Sequence, residues 1–329
     1  MSNGICVLPN IGNTCYINSI IQILLHTYEL NNILKNTQTL KNNMESMIVK
    51  HWKELHNKTM VSKQVSPHNL IFTIRKYIKQ FDNSSQQDAS EFLIQLIDIF
   101  KIALSHPVKI NISNKYVTKE NELYIECYNR IKQLYSNDYS ELVNIFNGMF
   151  ITELKDKNNQ IISRTFDPYE ILQVPTPNIP VSTIYDCLDL LWLEETLTDY
   201  KITGSGSSTL NNMFVSKTYY LWLTPKILIL NLKKYNTQYK LNTYVDIPHE
   251  LDLSKYLYPG CKDTPNYTLY AICNHTGNGN INYGHYYSYI LIPQIKKWVM
   301  FNDSSPPVVM NEDQVSTKDA VCVFYRKLG

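Results

Sequence analysis

A change of hydrophobic period partway along the chain limits what it can fold into. Up to about residue 135, apolar residues recur at helical spacing. One run follows Gly12-Asn13-Thr14-Cys15 and places Ile20, Ile21, Leu24, Leu25 and Tyr28 on one face. Residues 41–56 space Met44, Met47, Ile48, Trp52 and Leu55 in the same way. Pro67 precedes a third run with Leu70, Ile71, Ile74, Tyr77 and Ile78. Behind Ser85-Gln86-Gln87-Asp88, Phe92, Leu93, Leu96, Ile97, Phe100 and Leu104 form the strongest amphipathic pattern. Ser85-x-x-Asp88 reads as a capping box for that helix. Residues 122–135 add one more.

From about residue 145 the signal becomes that of strands. Met149–Leu154 and Ile161–Phe166 flank the turn-like Lys155-Asp156-Lys157-Asn158-Asn159. Pro175, Pro177 and Pro180 interrupt the chain, and 183–197 reads as a short helix with Leu188, Leu191, Trp192 and Leu193. Gly204-Ser205-Gly206-Ser207-Ser208 reads as a flexible loop. The last third predicts antiparallel strands at Ile227–Leu232, Tyr267–Cys273, His285–Ile292, Lys297–Phe301 and Val321–Tyr325, with a loop at Gly277-Asn278-Gly279-Asn280.

The formal net charge of +2 over 329 residues gives no drive towards nucleic acid, a membrane surface or an acidic polymer. No apolar run is long enough to span a bilayer, and Met1-Ser2-Asn3-Gly4 does not begin a secretory signal. The seven cysteines, Cys6, Cys15, Cys127, Cys187, Cys261, Cys273 and Cys322, form no C-x-x-C pair, so structural zinc gains no support. The expected state is a reduced intracellular protein, in the cytoplasm or nucleus, with mostly buried thiols. Heavy use of Asn, Ile, Lys and Tyr is that of an AT-rich genome, such as a virus or protist.

One cysteine differs from the rest. Asn13 or Thr14 can cap the helix that follows, which puts Cys15 in its first turn. Free N–H groups and the positive end of the helix dipole favour a thiolate there. A thiolate nucleophile needs a base, and the base needs an orienting acceptor. Most of the eight histidines lie among polar residues, and His26 sits in an apolar helical pattern. His285 instead follows Gly284 and opens a Tyr- and Ile-rich strand, and glycine there permits close backbone approach. If that strand pairs with Lys297–Phe301, Asn302 or Asp303 can reach the imidazole. Taken singly, each residue also has a plain reading: a buried thiol, a strand histidine, a turn at 302–303, an acidic first helix turn at Asp88 and Glu91.

Several blocks together resemble the ubiquitin-specific protease family of deubiquitinating cysteine peptidases. Leu8–Gln22, L-P-N-I-G-N-T-C-Y-I-N-S-I-I-Q, is similar to its cysteine box, and Gln86–Leu93 to its Q-Q-D-A-x-E-F-L block. Pro225–Tyr235 resembles its P-x-I-L-x-x-x-L-K-R-F strand. Tyr270–Tyr289, with His275, Gly277 and Gly284-His285-Tyr286, resembles its histidine box, and Trp298–Asp303 its W-x-x-F-[DN]-D ending. The order of the blocks is the family's, and together they are highly specific.

The resemblance implies an α+β, papain-like fold shaped as a hand across residues 1–329. The thumb would be helical (about 1–140), the fingers would follow (about 141–224), and an antiparallel palm sheet would close the chain (about 225–329). It implies Cys15 as nucleophile, His285 as general base and acid, Asn302 as orienter and Asn10 as oxyanion donor, with Asp303 assisting. Asp88 and Glu91 would meet the basic ubiquitin tail, and Gly284 with Tyr286 would line the passage for its Gly-Gly end. The implied reaction is hydrolysis after the last glycine of ubiquitin, without a cofactor. The implied partner is ubiquitin or polyubiquitin conjugates, with no nucleic acid or membrane, and the chain would act as a monomer. Most family members hold zinc in the fingers through two C-x-x-C pairs. The regions near Thr152–Asn159 and Tyr200–Ser208 contain no cysteine, so zinc-less fingers are expected. A silent ubiquitin-binding scaffold and a peptidase for another ubiquitin-like modifier are the rival readings.

Overall fold

A computed structural model of the chain describes residues 4–82, 85–113, 118, 121–200, 213–235, 240–277 and 284–328. The Gly-Ser loop at 204–208 and most of the loop begun by Gly277 lie outside the described residues. Helices come first: α1 (Cys15–Leu25), α2 (Tyr28–Asn36), α3 (Met44–Thr59), α4 (His68–Tyr77), α5 (Ala89–Leu104), α6 (Glu122–Tyr135), α7 (Val143–Phe146) and, later, α8 (Ile184–Leu191). Two sheets account for most of the strands. The smaller, in the order β2-β1-β6-β5, uses β1 (Gly148–Lys155), β2 (Ile161–Tyr169), β5 (Glu195–Tyr200) and β6 (Met213–Leu223). The larger has eight strands in the order β13-β12-β11-β10-β14-β7-β3, with β9 beside β10. Its members are β3 (Ile171–Pro175), β7 (Ile227–Lys233), β9 (Glu250–Asp252), β10 (Asn266–Thr276), β11 (His285–Ile292), β12 (Lys297–Phe301), β13 (Val308–Met310) and β14 (Ala320–Lys327). The short strands β4 (Val181–Thr183) and β8 (Tyr244–Asp246) pair separately.

Alternation along the larger sheet explains its sequence. On β11, Tyr286, Ile290 and Ile292 face the helices, while Tyr287, Tyr289 and Leu291 face a second core under α8. On β7, Ile227 and Ile229 face the first core and Leu228, Leu230 and Leu232 the second. A strand buried on both faces reads as a continuous apolar run, and Ile227–Leu232 does. Helix α1 lies across β11, and every one of its residues is buried. Its polar members are paired or enclosed: Gln22 Nε2 donates to the Cys6 carbonyl at 2.7 Å, and Asn18 reaches Leu8, Pro9 and Asp303. Asn31 on α2 caps the far end, donating to the carbonyls of Leu24 and Leu25 and accepting from Trp52 Nε1 at 2.9 Å.

Several local expectations need correction. Asp88 is itself the N-cap of α5, accepting from the backbone N–H of Ser90 (2.6 Å) and Glu91 (3.4 Å), so the Ser85–Asp88 capping box does not form. The helix expected over 183–197 stops at Leu191, and Glu195–Tyr200 pairs with β6 instead. Thr183 and Asp186 supply a capping box at its start. Strand Ile171–Pro175, within the stretch expected to form the fingers, runs parallel to β7 at the edge of the larger sheet. The larger sheet is therefore not wholly antiparallel.

A buried carboxylate organises the smaller sheet. Glu153 on β1 accepts from Arg164 Nε (3.0 Å) and Nη2 (2.9 Å) and from the Tyr258 hydroxyl (2.9 Å), with Lys155 Nζ at 3.3 Å. Burial alone raises a carboxyl pKa, but hydrogen bonds from Tyr258, Arg164 and Lys155 outweigh it and leave Glu153 below its ordinary 4.5. Its ionic contribution to stability is therefore present above pH 4.5 and lost as the pH falls below it. Among the described residues no group of three or more His, Cys, Asp or Glu side chains is arranged to hold a metal ion. Glu153→Ala should destabilise the protein by about 3 kcal/mol, because Arg164 is left beside an empty site. Hydrogen exchange should then show protection lost in β1, β2 and β6 well before β10 and β11.

Candidate active site

Cys15 opens α1 at the end of a tight turn held by Asn10. The Asn10 side-chain oxygen accepts from the backbone N–H of Gly12 and Thr14, both at 3.1 Å, and from the Thr14 hydroxyl at 3.3 Å. The turn needs positive φ at Gly12 (111°) and Asn13 (48°), values that glycine and asparagine tolerate. Thr14 occupies the N-cap position, but its hydroxyl accepts from Ile11 N at 3.0 Å and makes no capping bond to the helix. The first-turn N–H groups of α1 have no intrahelical acceptor and face the entry to the helix.

His285 opens β11, and β12 lies beside it in antiparallel register with Ser288 opposite Phe301. That register carries Asn302, just past β12, to the imidazole. His285 Nε2 donates to Asn302 Oδ1 at 2.6 Å. The other ring nitrogen, Nδ1, is left for the Cys15 thiol, which is hydrogen-bonded to His285. This bond to Cys15 is the main cause that lifts the His285 pKa from 6.5 to about 9. Desolvation opposes it, and Asn302 and the Asp303 charge add to it. At neutral pH the ring is thus an imidazolium poised beside the Cys15 sulfur.

Asp303 has φ 47° and turns its carboxylate back towards the Cys15 turn. Its Oδ2 accepts from Asn10 Nδ2 at 2.9 Å and its Oδ1 from Asn18 Nδ2 at 2.8 Å. Oδ2 lies 4.0 Å from His285 Nε2. One carboxylate therefore ties the start of the chain to the end of β12. Asn18 also donates to the carbonyls of Leu8 (3.1 Å) and Pro9 (3.3 Å), so it braces the same turn from within α1. Sequence reasoning gave Asn18 no role. Its signal is an amide one helical turn after Cys15 on a mostly apolar helix.

Cys15, His285, Asn302, Asp303 and Asn10 meet in one place. Asn10 arrives with one amide N–H already given to Asp303 and one remaining. Gly284 and Tyr286 flank His285 in the chain, whereas Asp88 and Glu91 stand apart. Asp88 and Glu91 line a cavity of about 220 Å³ between α5 and β7, with Asn231, Lys233, Tyr235 and Tyr286. Asp88 is engaged as the helix cap through Oδ1, and Glu91 is exposed. Tyr286 is buried, packs its ring against that of His275 at a tilt of 44° with centroids 4.3 Å apart, and directs its hydroxyl to the backbone of Ala89. Gly284 has no room for a side chain: a Cβ would collide with the Thr276 carbonyl oxygen and the His275 ring.

The fold and cleft define a papain-like protein with a cysteine and a histidine facing each other across a helix–sheet boundary. A family model described as ubiquitin carboxyl-terminal hydrolase matches residues 6–325, and the chain belongs to that family. It is 31% identical over 99% of its length to ubiquitin carboxyl-terminal hydrolase Usp2 of Drosophila melanogaster, and 29% identical over 98% to ubiquitin carboxyl-terminal hydrolase 2 of Homo sapiens. The matches cover 35% and 55% of those relatives, so the chain spans a third to about half of their length. The fold agrees with the SAGA DUB module of Ubp8, Sgf11, Sus1 and Sgf73 bound to monoubiquitin, at TM-score 0.75 and 20% identity, covering all of this chain and 71% of that one. The same module bound to ubiquitin aldehyde matches at TM-score 0.75 and 21% identity, covering 99% of this chain and 70% of that one.

A titration of His285 by NMR should give a midpoint near 9, and Asn302→Ala should lower it. A histidine pKa raised by folding stabilises the protein fully below 6.5, and that contribution disappears as the pH rises through about 9. Asn302→Ala should therefore narrow the stable range from the alkaline side only.

Proposed function

We propose that this chain is a thiol-dependent deubiquitinase that hydrolyses the (iso)peptide bond after the C-terminal glycine of ubiquitin. The hydrogen-bonded series Cys15, His285, Asn302 carries the reading. Cys15 sulfur attacks the glycine carbonyl, and the carbonyl oxygen takes up negative charge. The free amide N–H of Asn10 and the first-turn N–H groups of α1 are the donors for that charge. Imidazolium His285 gives its Nδ1 proton to the departing amine, leaving an acyl-thioester. Neutral His285 then takes a proton from water, whose oxygen attacks the thioester and frees Cys15. Asn302 holds the ring by Nε2 throughout.

Two cavities support a substrate made of a folded body with a narrow tail. A concavity of about 640 Å³ opens against the smaller sheet, lined by Phe150, Thr152, Asp167, Leu197 and Tyr219. Gln173 lines both this concavity and the 220 Å³ cavity of Asp88 and Glu91. The body would rest in the first, and a basic tail would pass the two carboxylates of the second. Gly284, pressed against Thr276, would keep the last step too narrow for anything but glycine. The thumb, fingers and palm would then act as one unit, a monomer with its smaller sheet held by Glu153 in place of zinc. Seven free thiols fit a reducing, intracellular setting.

Ubiquitin bearing a C-terminal electrophile should form a covalent adduct on Cys15, and Cys15→Ala should abolish it. Folded protein that gives no adduct would favour a silent scaffold. An adduct with another modifier but not with ubiquitin would favour the other peptidase reading. Asn10→Ala should lower kcat by ~100-fold with little change in KM, the usual cost of an oxyanion donor.

A further inference from the structure

A second histidine sits behind the first. His275, near the end of β10, has no exposed surface, yet both of its ring nitrogens are engaged. Nδ1 meets the Tyr235 hydroxyl at 2.5 Å, and Nε2 meets Gln86 Nε2 at 3.2 Å. A neutral imidazole satisfies both by donating at one nitrogen and accepting at the other, whereas an imidazolium could accept from neither. Burial and the nearby Lys240 ammonium hold the His275 pKa down at about 4, so the ring stays neutral. The histidine is fixed at its backbone as well: its N–H donates to the Asp319 carbonyl at 2.8 Å, and its carbonyl accepts from Lys240 Nζ at 2.5 Å.

The ring flanks the catalytic histidine on both sides. Its Nε2 edge fills the space a side chain at Gly284 would need, and its ring packs against that of Tyr286, tilted by 44° with centroids 4.3 Å apart. The backbone of β10 pairs His275 with Tyr286 and Thr276 with His285. Residues 284 and 286 therefore both rest on this one imidazole, and the residue between them is His285. Tyr235 stands where the family pattern has phenylalanine, so the hydroxyl that secures His275 is a feature of this chain.

We infer that His275 is a positioning residue for His285, and that the Tyr235 hydroxyl together with Gln86 locks its ring in place. It acts by fixing the backbone on either side of His285, so that the imidazole meets Cys15 and Asn302 together. The inference rests on the deubiquitinase reading only for its kinetic readout.

The test compares wild type, Tyr235→Phe and His275→Gln in hydrolysis of a fluorogenic ubiquitin C-terminal amide, with an NMR titration of His285 in each. Tyr235→Phe keeps the ring and removes one oxygen, so it should fold even if His275→Gln does not. Both variants should lower kcat by ~10- to 100-fold, as small misplacements of a catalytic group do, with KM unchanged. Both should also move the His285 midpoint down from about 9. Unchanged kcat and an unchanged His285 midpoint, with only a lower Tm, would overturn the inference, and so would a rise in KM alone. If wild type neither hydrolyses the amide nor forms the adduct, the deubiquitinase reading fails by itself. The His285 midpoint then still decides whether His275 positions that ring.

Discussion

Burial of α1 against β11 is the interaction on which the rest of the structure depends. Cys15 and His285 lie at opposite ends of the chain, and no local geometry brings them together. What does so is an eleven-residue helix with no exposed face, enclosed by Tyr286, Ile290 and Ile292 of β11, by β10 and by α5. A helix apolar on all sides is stable only inside a core. Each fully buried Ile or Leu contributes ~1.5–3 kcal/mol, so Ile17, Ile20, Ile21, Ile23 and Leu24 together outweigh the polar groups the helix takes with it. Those polar groups are the useful ones. Asn18 and Gln22 satisfy the carbonyls of Leu8, Pro9 and Cys6, and so fasten the segment leading into Cys15.

The helix sets distance, while Asn302 and Asp303 divide the remaining work. A carboxylate directly on the imidazole would hold it firmly and also hold its proton firmly. Here the direct acceptor is the neutral Asn302 oxygen at 2.6 Å, and the carboxylate of Asp303 stands back at 4.0 Å. The charge still favours the imidazolium, but through space. Its two oxygens are taken by Asn10 and Asn18, so the same group aligns the oxyanion candidate and closes the turn before Cys15. The positive φ of Asp303 is what aims the carboxylate in that direction.

Elements with a clean period were legible in the sequence, and those whose order is imposed from outside were not. The helix over 122–135 and the strands at 285–292 and 297–301 match their expected spans, because two-sided burial or strict spacing wrote them locally. Helix α2 escaped notice because its sequence, Tyr28–Asn36, is mostly polar and is stabilised by Asn31 reaching back to α1. Strand β3 is too short to announce itself and exists because β7 offers a parallel edge. At the site, Cys15 and His285 stood out by chemistry and neighbours. The clamp of Asp303 on Asn10 and Asn18 could not be read, since it joins residues nearly three hundred positions apart. His275 was visible only as part of a motif; its meaning lies in a glycine and a tyrosine that rest on it in space.

The smaller sheet is organised around a buried carboxylate, which tolerates little misalignment of its partners. Glu153 is stable only while Arg164 and Tyr258 both reach it, and Tyr258 comes from the segment after β9, not from the smaller sheet. Trp222 on β6 packs in the same cluster, against Phe166, Tyr124 of α6 and Tyr258. A buried ion pair adds little net stability over an apolar one but is intolerant of misalignment. The cluster therefore fixes the angle of the smaller sheet to the larger one more than it strengthens either. The concavity lies against the smaller sheet, and Gln173 on β3 lines both it and the cavity of Asp88 and Glu91.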